Sequence, residues 1–376
     1  MSILNVVGAK VWGGGEQYVY DMCDELHRRQ IPSFVLIDVS NHELQERFEQ
    51  VAAVLTANLY SYKGFTSLLS IVKHIKEKGI TVIQCHSGKY ILLCLALKRL
   101  TGAKLIFYKH NVIKAKTDMY HQWIQSQVDA FICVSKKVYD AQVIPNIIDK
   151  YHLVYNGVNT RRFSDVSDDN IPNKPFIVGY AGRIIENKGI FDLLDAVRVI
   201  HNKIDEDRLD ICGDGKSAIK IVHHHNSNIR LYICGDGIHD DIQELHHYIM
   251  QYDMKDYVEY IGFQQDMNRF YRSIHCLVAP SKVQEAFGLV LCEAMYCKVP
   301  VITSTSGAQA EIIENGKSGI LIDTVNSESI IEAIQGLMEN DGVRKSIIEH
   351  GYTRVKSTFT IDKMVDSIDK IVCNLR

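Results

Sequence analysis

One stretch of the chain combines a helix that begins at a glycine with two carboxylates, a pattern that can hold a phosphate beside a sugar. Residues 277–294 read L-V-A-P-S-K-V-Q-E-A-F-G-L-V-L-C-E-A, an apolar strand, a loop with Glu285, and a helix that begins at Gly288 and carries Glu293. A helix start offers unpaired backbone N–H groups and the positive end of the helix dipole, which bind phosphate. The two carboxylates can accept hydrogen bonds from ligand hydroxyls. Phosphate beside sugar indicates a sugar nucleotide.

Two cations follow an earlier strand and can neutralise a diphosphate. The apolar segment 176–181 runs into Gly182 and Arg183, and Lys188 and Gly189 follow in a G-R-x4-K-G spacing. Both cations therefore belong to one strand-to-helix loop. There they can bind phosphate oxygens and stabilise the charge that develops on a departing diphosphate.

Two histidines in the first half of the chain also follow apolar segments. His86 comes after residues 81–85, and His110 comes after residues 104–108. Ligands of parallel sheets bind at the carboxyl ends of the strands, so both positions are candidates for a site. His110 is the stronger candidate because the polar, basic loop 111–116 follows it.

A glycine-rich segment near the start has two interpretations. W-G-G-G-E-Q at residues 12–17 follows an apolar strand at 3–7, and Asp38 ends a second strand, as in dinucleotide-binding domains. The glycines do not form G-x-G-x-x-G, however, and Glu16 would lie where pyrophosphate should be. A dehydrogenase is therefore disfavoured. The sequence instead predicts a flat glycine turn whose backbone approaches a ligand held mainly by another domain.

The second half contains an internal repeat. L-D-I-C-G-D-G occupies residues 209–215 and L-Y-I-C-G-D-G occupies residues 231–237, each a strand that runs into a glycine turn. Asp236, in the second copy, precedes a predicted helix, as a nucleotide-binding loop would. We therefore favour Asp236 over Asp214 as the residue beside the nucleotide. Gly262, in a later short strand, is a candidate shelf for the nucleobase.

Alternating strand and helix patterns along the whole chain predict an α/β fold with doubly wound parallel sheets. A chain of 376 residues is too long for one ordinary core, so two domains are expected. The polar, proline-containing segment 164–175 is the predicted linker. It separates domains at 1–165 and 172–358, with a final helix at about 360–376 returning to the first.

Composition indicates a soluble protein of a reducing cytoplasm. The ten cysteines form no C-x-x-C pair, no signal peptide is evident, and the longest apolar run, 90–97, is too short to span a membrane. Residues 1–165 hold 20 basic and 14 acidic side chains, and residues 166–376 hold 22 and 31. The basic first half favours peripheral contact with the anionic inner membrane leaflet, although plain uneven charge is the alternative. Nucleic acid is not an expected partner because basic runs with interleaved aromatics are lacking.

The motifs together resemble those of the retaining glycosyltransferases of family 4. The resemblance covers nearly the whole chain and includes, in order, G-G-G-E, V-S-K-K-V, Y-N-G-V-N-T-R-R-F, G-R-I-I-E-N-K-G, G-D-G, P-S-x3-E-A-F-G-L-V-L-C-E-A-M and S-G-A-Q-A-E-I-I-E-N-G-K-S-G-I-L. It implies the GT-B fold, two facing Rossmann-like domains with the ligand cleft between them. The extra G-D-G copy departs from the pattern of the family.

The resemblance also implies roles for individual residues. In the second domain these are Arg183 and Lys188 at the donor diphosphate, Glu293 at the ribose, Glu285 at the donor sugar, and the backbone N–H groups of Gly288, Leu289 and Val290 at phosphate and sugar. Either Asp214 or Asp236 would lie by the nucleotide. In the first domain, Gly14 and Gly15 would approach the diphosphate. His110 would lie near the C6 hydroxyl of the sugar and the reaction centre.

The implied activity is sugar transfer from a nucleoside-diphosphate sugar to a saccharide or lipid-linked saccharide, with retention, in cell-surface polysaccharide synthesis. No cofactor and no metal are expected, because the cations take over the neutralisation of the diphosphate. The alternative is a GT-B isomerase of the nucleotide-sugar 2-epimerase type. It is disfavoured because the strand ends of the first domain offer histidines rather than acid–base carboxylates. A catalytically inactive binding module is disfavoured because all the expected ionic residues are present.

Overall fold

The computed structural model describes residues 2–8, 12–59, 64–163, 175–203 and 229–375, with backbone only at 64–66. The chain forms two compact units, Met1–Thr160 together with Ser357–Arg376, and Arg161–Lys356. Most of the predicted linker, and the first G-D-G copy with Asp214, lie outside the described residues.

A parallel sheet forms the centre of the first unit. Its described strands are β1 Ile3–Val6, β2 Ser33–Asp38, β3 Ala53–Ala57, β4 Val82–Cys85, β5 Lys104–Lys109, β6 Ala130–Cys133 and β7 Tyr151–Leu153. They are arranged in the order β3-β2-β1-β4-β5-β6-β7, so the strand order reverses between β1 and β4. Strands β1, β2, β4 and β6 are buried along their full length, which explains why most of their residues are apolar.

Helices alternate with these strands. They are α1 Gly14–Arg28, α2 His42–Phe48, α3 Gly64–Glu77, α4 Ile91–Thr101, α5 Met119–Gln127 and α6 Lys136–Gln142. The apolar face of α1, with Val19, Met22, Cys23 and Leu26, packs into the core on one face of the sheet.

The second unit repeats this architecture. Its described strands are β8 Phe176–Ala181, β9 Ile229–Cys234, β10 Val258–Gly262, β11 Cys276–Ala279, β12 Val301–Ser304 and β13 Ile320–Ile322, arranged in the order β10-β9-β8-β11-β12-β13. Its helices are α7 Ile190–Asn202, α8 His239–Gln251, α9 Met267–Tyr271, α10 Leu289–Tyr296, α11 Gln309–Ile312, α12 Ser327–Glu339 and α13 Asp341–Thr358. Both sheets are parallel and Rossmann-like, which confirms the predicted α/β class.

The last helix, α14 Ile361–Asn374, belongs to the first unit. Its apolar face joins the core beside α1, and Arg29, directly after α1, pairs with Asp366 at 2.6 Å. Arg29 also binds the fully buried carboxylate of Glu25. These contacts hold the chain terminus on the first sheet. Among the described residues, no helix is long and apolar enough to cross a membrane.

Two local predictions are wrong. The N-G dipeptide at residues 156–157 predicts a turn that closes the first half of the chain, but the chain there instead pairs with the segment before α14. Val158 donates its N–H to Phe359 O at 2.8 Å, and a Cβ at Gly157 would lie 2.4 Å from Thr360 O. The turn preference of N-G depends on adjacent residues alone. The backbone pairing joins residues about two hundred positions apart, and it outweighs that local preference.

The flat glycine turn is also replaced by regular structure. Gly13 is the N-cap of α1, and Gly14 and Gly15 form its first turn, with Gln17 N–H bonded to Gly13 O at 2.9 Å. The helix extends back through the glycines because its apolar face, beginning with Tyr18 and Val19, is buried against the sheet.

One buried amide gives a stability prediction. Gln84 in β4 is fully buried, and neither Nε2 nor Oε1 has a hydrogen-bond partner among the described residues. Burying an unsatisfied amide costs about 1–3 kcal/mol, so Gln84→Met is expected to raise the melting temperature by about 2–4 °C or more. Gln125 is the matched control, because its Nε2 donates to Lys116 O at 2.9 Å. Gln125→Met should lower the melting temperature. Equal losses in both variants would show that Gln84 is satisfied in solution.

Candidate functional site

The candidate site of the second unit is built on the loops that follow β8 and β11. These neighbouring strands flank the point where the strand order reverses, and ligands of open α/β sheets bind at that point. The two loops are joined directly, since Lys282 donates its N–H to Asn187 O at 2.9 Å. Gly189 has φ +72°, and a Cβ there would lie 2.1 Å from Pro280 O. Only glycine therefore allows this close approach.

Lys188 and Glu285, predicted separately for diphosphate and sugar, are in direct contact. The ammonium of Lys188 pairs with Oε1 of Glu285, and their side chains are 17% and 28% exposed. A third loop fixes the glutamate, since Ala308 donates its N–H to Glu285 O at 2.9 Å. A Cβ at Gly307 would lie 2.3 Å from Glu285 N, so this glycine is needed for the approach.

Hydroxyl groups at and just after the end of β12 hold the loop that carries Glu285. Ser304 Oγ donates to Ser281 O at 2.5 Å, and Ser306 Oγ lies 2.9 Å from Ser281 O and 3.0 Å from Val283 O. The loop carbonyls are thus satisfied by side chains instead of by a strand. These serines were not assigned a role from the sequence. The signal for them is the hydroxyl-rich S-T-S-G segment directly after a strand.

The loops after β8 and β9 are also paired, which brings Arg183 and Asp236 onto neighbouring loops. Ile184 donates its N–H to Asp236 O at 2.8 Å, and a Cβ at Gly235 would lie 1.8 Å from Gly182 O. Both charged side chains are exposed. Gly235 in turn donates its N–H to the O of Gly262 at 3.0 Å. The second G-D-G copy thus joins the loop that carries Arg183.

Helix α10 begins as the sequence indicates. Gly288 is its N-cap with φ +123° and without a side-chain cap. The first intrahelical bond runs from Leu291 N–H to Gly288 O at 3.0 Å. The N–H groups of Gly288, Leu289 and Val290 precede that bond, at the positive end of the helix dipole.

Glu293 differs from Glu285 in its burial and in its hydrogen-bond partners. It is only 6% exposed, and its carboxylate accepts a hydrogen bond from Tyr271 Oη at 2.9 Å and lies 3.4 Å from Arg162 Nη1. Burial, together with the Glu293 charge, raises the pKa of Tyr271 well above its ordinary value, so the phenol remains a donor. The sequence analysis assigned no role to Arg162 or Tyr271. Their spacing from Glu293 carries no signal, because the contacts arise from tertiary packing.

The first unit places His86 and His110 side by side at the carboxyl ends of β4 and β5. His86 Nδ1 and His110 Nε2 are 3.2 Å apart. Burial lowers the pKa of His110 to about 4, and burial together with the neighbouring His110 lowers the pKa of His86 well below its ordinary value. Both rings are therefore neutral near pH 7. Gly14 and Gly15 are exposed at the start of α1, and Tyr18 of the same helix contacts both histidine rings.

Two family descriptions match the chain and together cover most of it. Glycosyl transferases group 1 matches residues 162–354, and Glycosyltransferase Family 4 matches residues 12–162. Both families are glycosyltransferases, so these matches do not favour the epimerase alternative.

Among curated proteins, the chain is 24% identical to an uncharacterised glycosyltransferase of Methanocaldococcus jannaschii over 90% of this chain and 89% of that protein. It is 26% identical to the capsular polysaccharide biosynthesis glycosyltransferase CapM of Staphylococcus aureus, over 50% of this chain and 43% of that protein.

Solved structures share the fold. Anabaena HepE, crystallised with UDP and glucose, matches with a TM-score of 0.78 and 18% identity over 99% of both chains. A glycosyltransferase of Rickettsia africae matches with a TM-score of 0.81 and 18% identity over 100% of this chain and 98% of that one.

Proposed function

Because the chain belongs to the glycosyl transferases of group 1 and family 4, and is therefore a glycosyltransferase, we propose that it transfers a sugar, with retention of configuration, from a nucleoside-diphosphate sugar to a saccharide or lipid-linked saccharide. The observation that carries this proposal is the contact of Lys188 with Glu285 where the second strand order reverses. A cation for diphosphate and a carboxylate for sugar hydroxyls meet there on joined loops, in the same unit as the uncapped start of α10.

The donor is held by the second unit in this proposal. Arg183 and Lys188 bind the diphosphate, and Glu285 accepts hydrogen bonds from the sugar. The ammonium of Lys188 has three donors, so it can keep Glu285 and still bind a phosphate oxygen. Glu293 binds the ribose hydroxyls, and Tyr271 holds its carboxylate in place. The remaining assignments are Asp236 and Gly262 at the nucleoside, and the N–H groups of Gly288, Leu289 and Val290 at phosphate and sugar.

The chemical step exchanges one bond at the anomeric carbon. The bond to the diphosphate oxygen breaks, and the acceptor oxygen forms a bond on the face that the diphosphate leaves. The proton of the acceptor hydroxyl passes to the departing diphosphate. Arg183 and Lys188 stabilise the charge that develops there, which makes a metal unnecessary. We keep His110 as the residue near the C6 hydroxyl, and Gly14 and Gly15 as backbone contacts of the diphosphate.

Relatives support a cell-surface polysaccharide as the product. CapM is described as a capsular polysaccharide enzyme, and another relative, 27% identical over 32% of this chain and 34% of that protein, is the lipopolysaccharide core mannosyltransferase LpcC of Rhizobium leguminosarum. HepE was crystallised with UDP-glucose. UDP-glucose is therefore the first donor to test, with GDP-mannose and ADP-glucose beside it.

A thermal-shift experiment tests the donor class. A nucleotide sugar at about 100 times its Kd stabilises the folded protein by about 2.7 kcal/mol, so its melting temperature rises by several degrees. Arg183→Ala should lose most of this shift. Arg230→Ala is the matched control, because Arg230 is an exposed arginine on β9 of the same unit, and it should keep the full shift.

Chemistry on the stabilising donor then separates the functions. A transferase leaves the sugar unchanged without an acceptor and transfers it when an acceptor is added, with EDTA present throughout. Epimerised donor would identify an isomerase. Loss of transfer in EDTA would overturn the metal-free assignment, and no shift with any of the three donors would contradict the proposal.

We also propose that the first unit contacts an anionic membrane surface through α5. Met119, Tyr120 and Trp123 on this helix are 87%, 50% and 52% exposed, and Ile113 in the preceding loop is 58% exposed. Exposed lysines in that loop, Lys114 and Lys116, add positive charge beside them. Aromatic and basic side chains together are typical of surfaces that bind at the membrane interface.

Vesicle sedimentation tests this contact. Wild-type protein should bind vesicles of phosphatidylcholine with phosphatidylglycerol and not those of phosphatidylcholine alone. Trp123→Ser is expected to weaken binding about tenfold, because one buried aromatic side chain contributes about 1.5–3 kcal/mol. Leu69→Ser on α3 is the control, since Leu69 is 74% exposed on another helix. Equal binding by both variants would refute α5 as the contact.

A further inference from the structure

Three polar side chains at the carboxyl edge of the first sheet form one hydrogen-bonded chain. They are Asn5 in β1, His86 after β4 and His110 after β5, and these three strands are adjacent. Asn5 Oδ1 lies 3.1 Å from His86 Nε2, and His86 Nδ1 lies 3.2 Å from His110 Nε2. The chain starts at a fully buried residue and ends at the half-buried His110.

Aromatic neighbours fix the planes of both imidazoles. Tyr108 stacks on His86 with ring centroids 4.4 Å apart, and it is nearly parallel to His110 at 5.8 Å and 11°. Tyr18 meets His110 edge-on at 5.2 Å and 73°. These contacts hold the plane of each imidazole, and the hydrogen bonds of His86 to Asn5 and to His110 select which ring edge carries each nitrogen.

The hydrogen-bond chain assigns the protons. Asn5 Nδ2 donates to Cys23 Sγ at 3.5 Å, which leaves Oδ1 as the acceptor for His86 Nε2–H. A neutral imidazole carries one N–H, so His86 Nδ1 is then an acceptor. It accepts from Nε2–H of His110, and Nδ1 of His110 is left with a free lone pair. This assignment depends on the stated orientation of the Asn5 amide, which the experiment below checks.

We propose that His86, held by Asn5, is a positioning residue that keeps the proton of His110 on Nε2 and presents Nδ1 as an acceptor for a hydroxyl of the donor sugar. This inference rests on the proposed function, which puts His110 beside the sugar. A histidine in the other tautomer would turn an N–H toward that hydroxyl and could no longer accept its proton in a hydrogen bond.

Imidazole 15N NMR tests the proton positions without any activity measurement. In wild-type protein with 15N-labelled histidine, His110 should show a protonated Nε2 and an unprotonated Nδ1 as one tautomer. In His86→Phe, which keeps a ring on Tyr108 but removes the acceptor, His110 should become a mixture of tautomers. A protonated Nδ1 in the wild type, or an unchanged spectrum in His86→Phe, would overturn the proposal.

Transfer kinetics test the consequence. His86→Phe is expected to lower kcat/KM about tenfold, the size of one lost hydrogen bond. His86→Asn should recover most of this loss, because its amide oxygen replaces Nδ1 as the acceptor. In a His110→Phe background, His86→Phe should have no further effect, whereas a merely structural role would give the same loss again. His350→Gln, on the exposed face of α13, is the neutral control.

The outcomes separate the two hypotheses. If the wild type transfers sugar and the His86→Phe variant transfers it equally well, the positioning role is rejected and the proposed function stands. No transfer from a donor that stabilises the protein would contradict the proposed function, and the NMR spectra would still decide the proton positions. Melting temperatures of all variants show whether a loss comes from unfolding. If His86→Phe does not fold, the wild-type 15N spectrum still decides, because a protonated Nδ1 of His110 would overturn the proposal.

Discussion

Lys188→Ala is expected to lower kcat by about 10²–10³-fold, because in the proposed mechanism Lys188 supplies a charge that stabilises the departing diphosphate. Lys188 is held at its position by Glu285 and by the left-handed Gly189 that follows it, so its ammonium is already placed before the donor binds. A preorganised charge stabilises the developing diphosphate without a cost of reorganisation during the reaction. The measurement is the rate of nucleoside-diphosphate release from the donor that the thermal-shift experiment identifies, with a saturating saccharide acceptor.

Lys345→Ala is the control for this loss. Lys345 is 74% exposed and pairs with Asp341 at 2.8 Å on α13, so removing it takes away a lysine of the same unit outside the site. The double variant Lys188→Ala/Glu285→Gln separates the two roles of the lysine. If Lys188 mainly neutralised Glu285, the second change would restore activity. Full activity of Lys188→Ala alone would reject the diphosphate assignment.

The fold could be predicted where local pattern and burial agree. The apolar run within residues 33–38 predicts a strand, and the amphipathic period of residues 327–339 predicts a helix. Strand β2 at Ser33–Asp38 and helix α12 at Ser327–Glu339 have these bounds. Helices α5 and α13 were missed. Only Ile347, Gly351 and Val355 of the eighteen residues of α13 are buried, so its sequence lacks a strong apolar period.

For the candidate site, the sequence could predict which types of residue belong to it, but it could not predict which of those residues contact one another. Glycine, arginine, lysine and glutamate after strands predict a phosphate and sugar site, because each residue type has its own chemistry. The contact of Lys188 with Glu285 joins residues 97 positions apart, and that of Arg162 with Glu293 joins residues 131 apart. Such pairs follow from the strand order of a folded sheet. For the same reason, the contact of Asn5 with His86 could not be predicted from the sequence.

The steric role of Gly189 gives the largest expected effect on stability. Its φ of +72° lies in the left-handed region, and an added Cβ would lie 2.1 Å from Pro280 O. The neighbouring loop cannot withdraw easily, because Lys282 N–H is bonded to Asn187 O. Gly189→Ala is therefore expected to destabilise the second unit by about 4 kcal/mol or more, the range of severe core changes, and to displace Lys188 and the loop that carries Glu285.

Gly316 separates the clash from the backbone cost. It has nearly the same φ, +71°, in the same unit, but a Cβ there meets nothing within 4 Å. Gly316→Ala should therefore cost only the left-handed conformation, about 1–2 kcal/mol. Both glycines lie in Arg161–Lys356, so one thermal transition reports on both variants. Equal destabilisation would mean that the loop at Pro280 yields to the methyl group. A much larger loss at Gly189, with transfer activity lost as well, would show that close packing of the two loops is what holds Lys188 against Glu285.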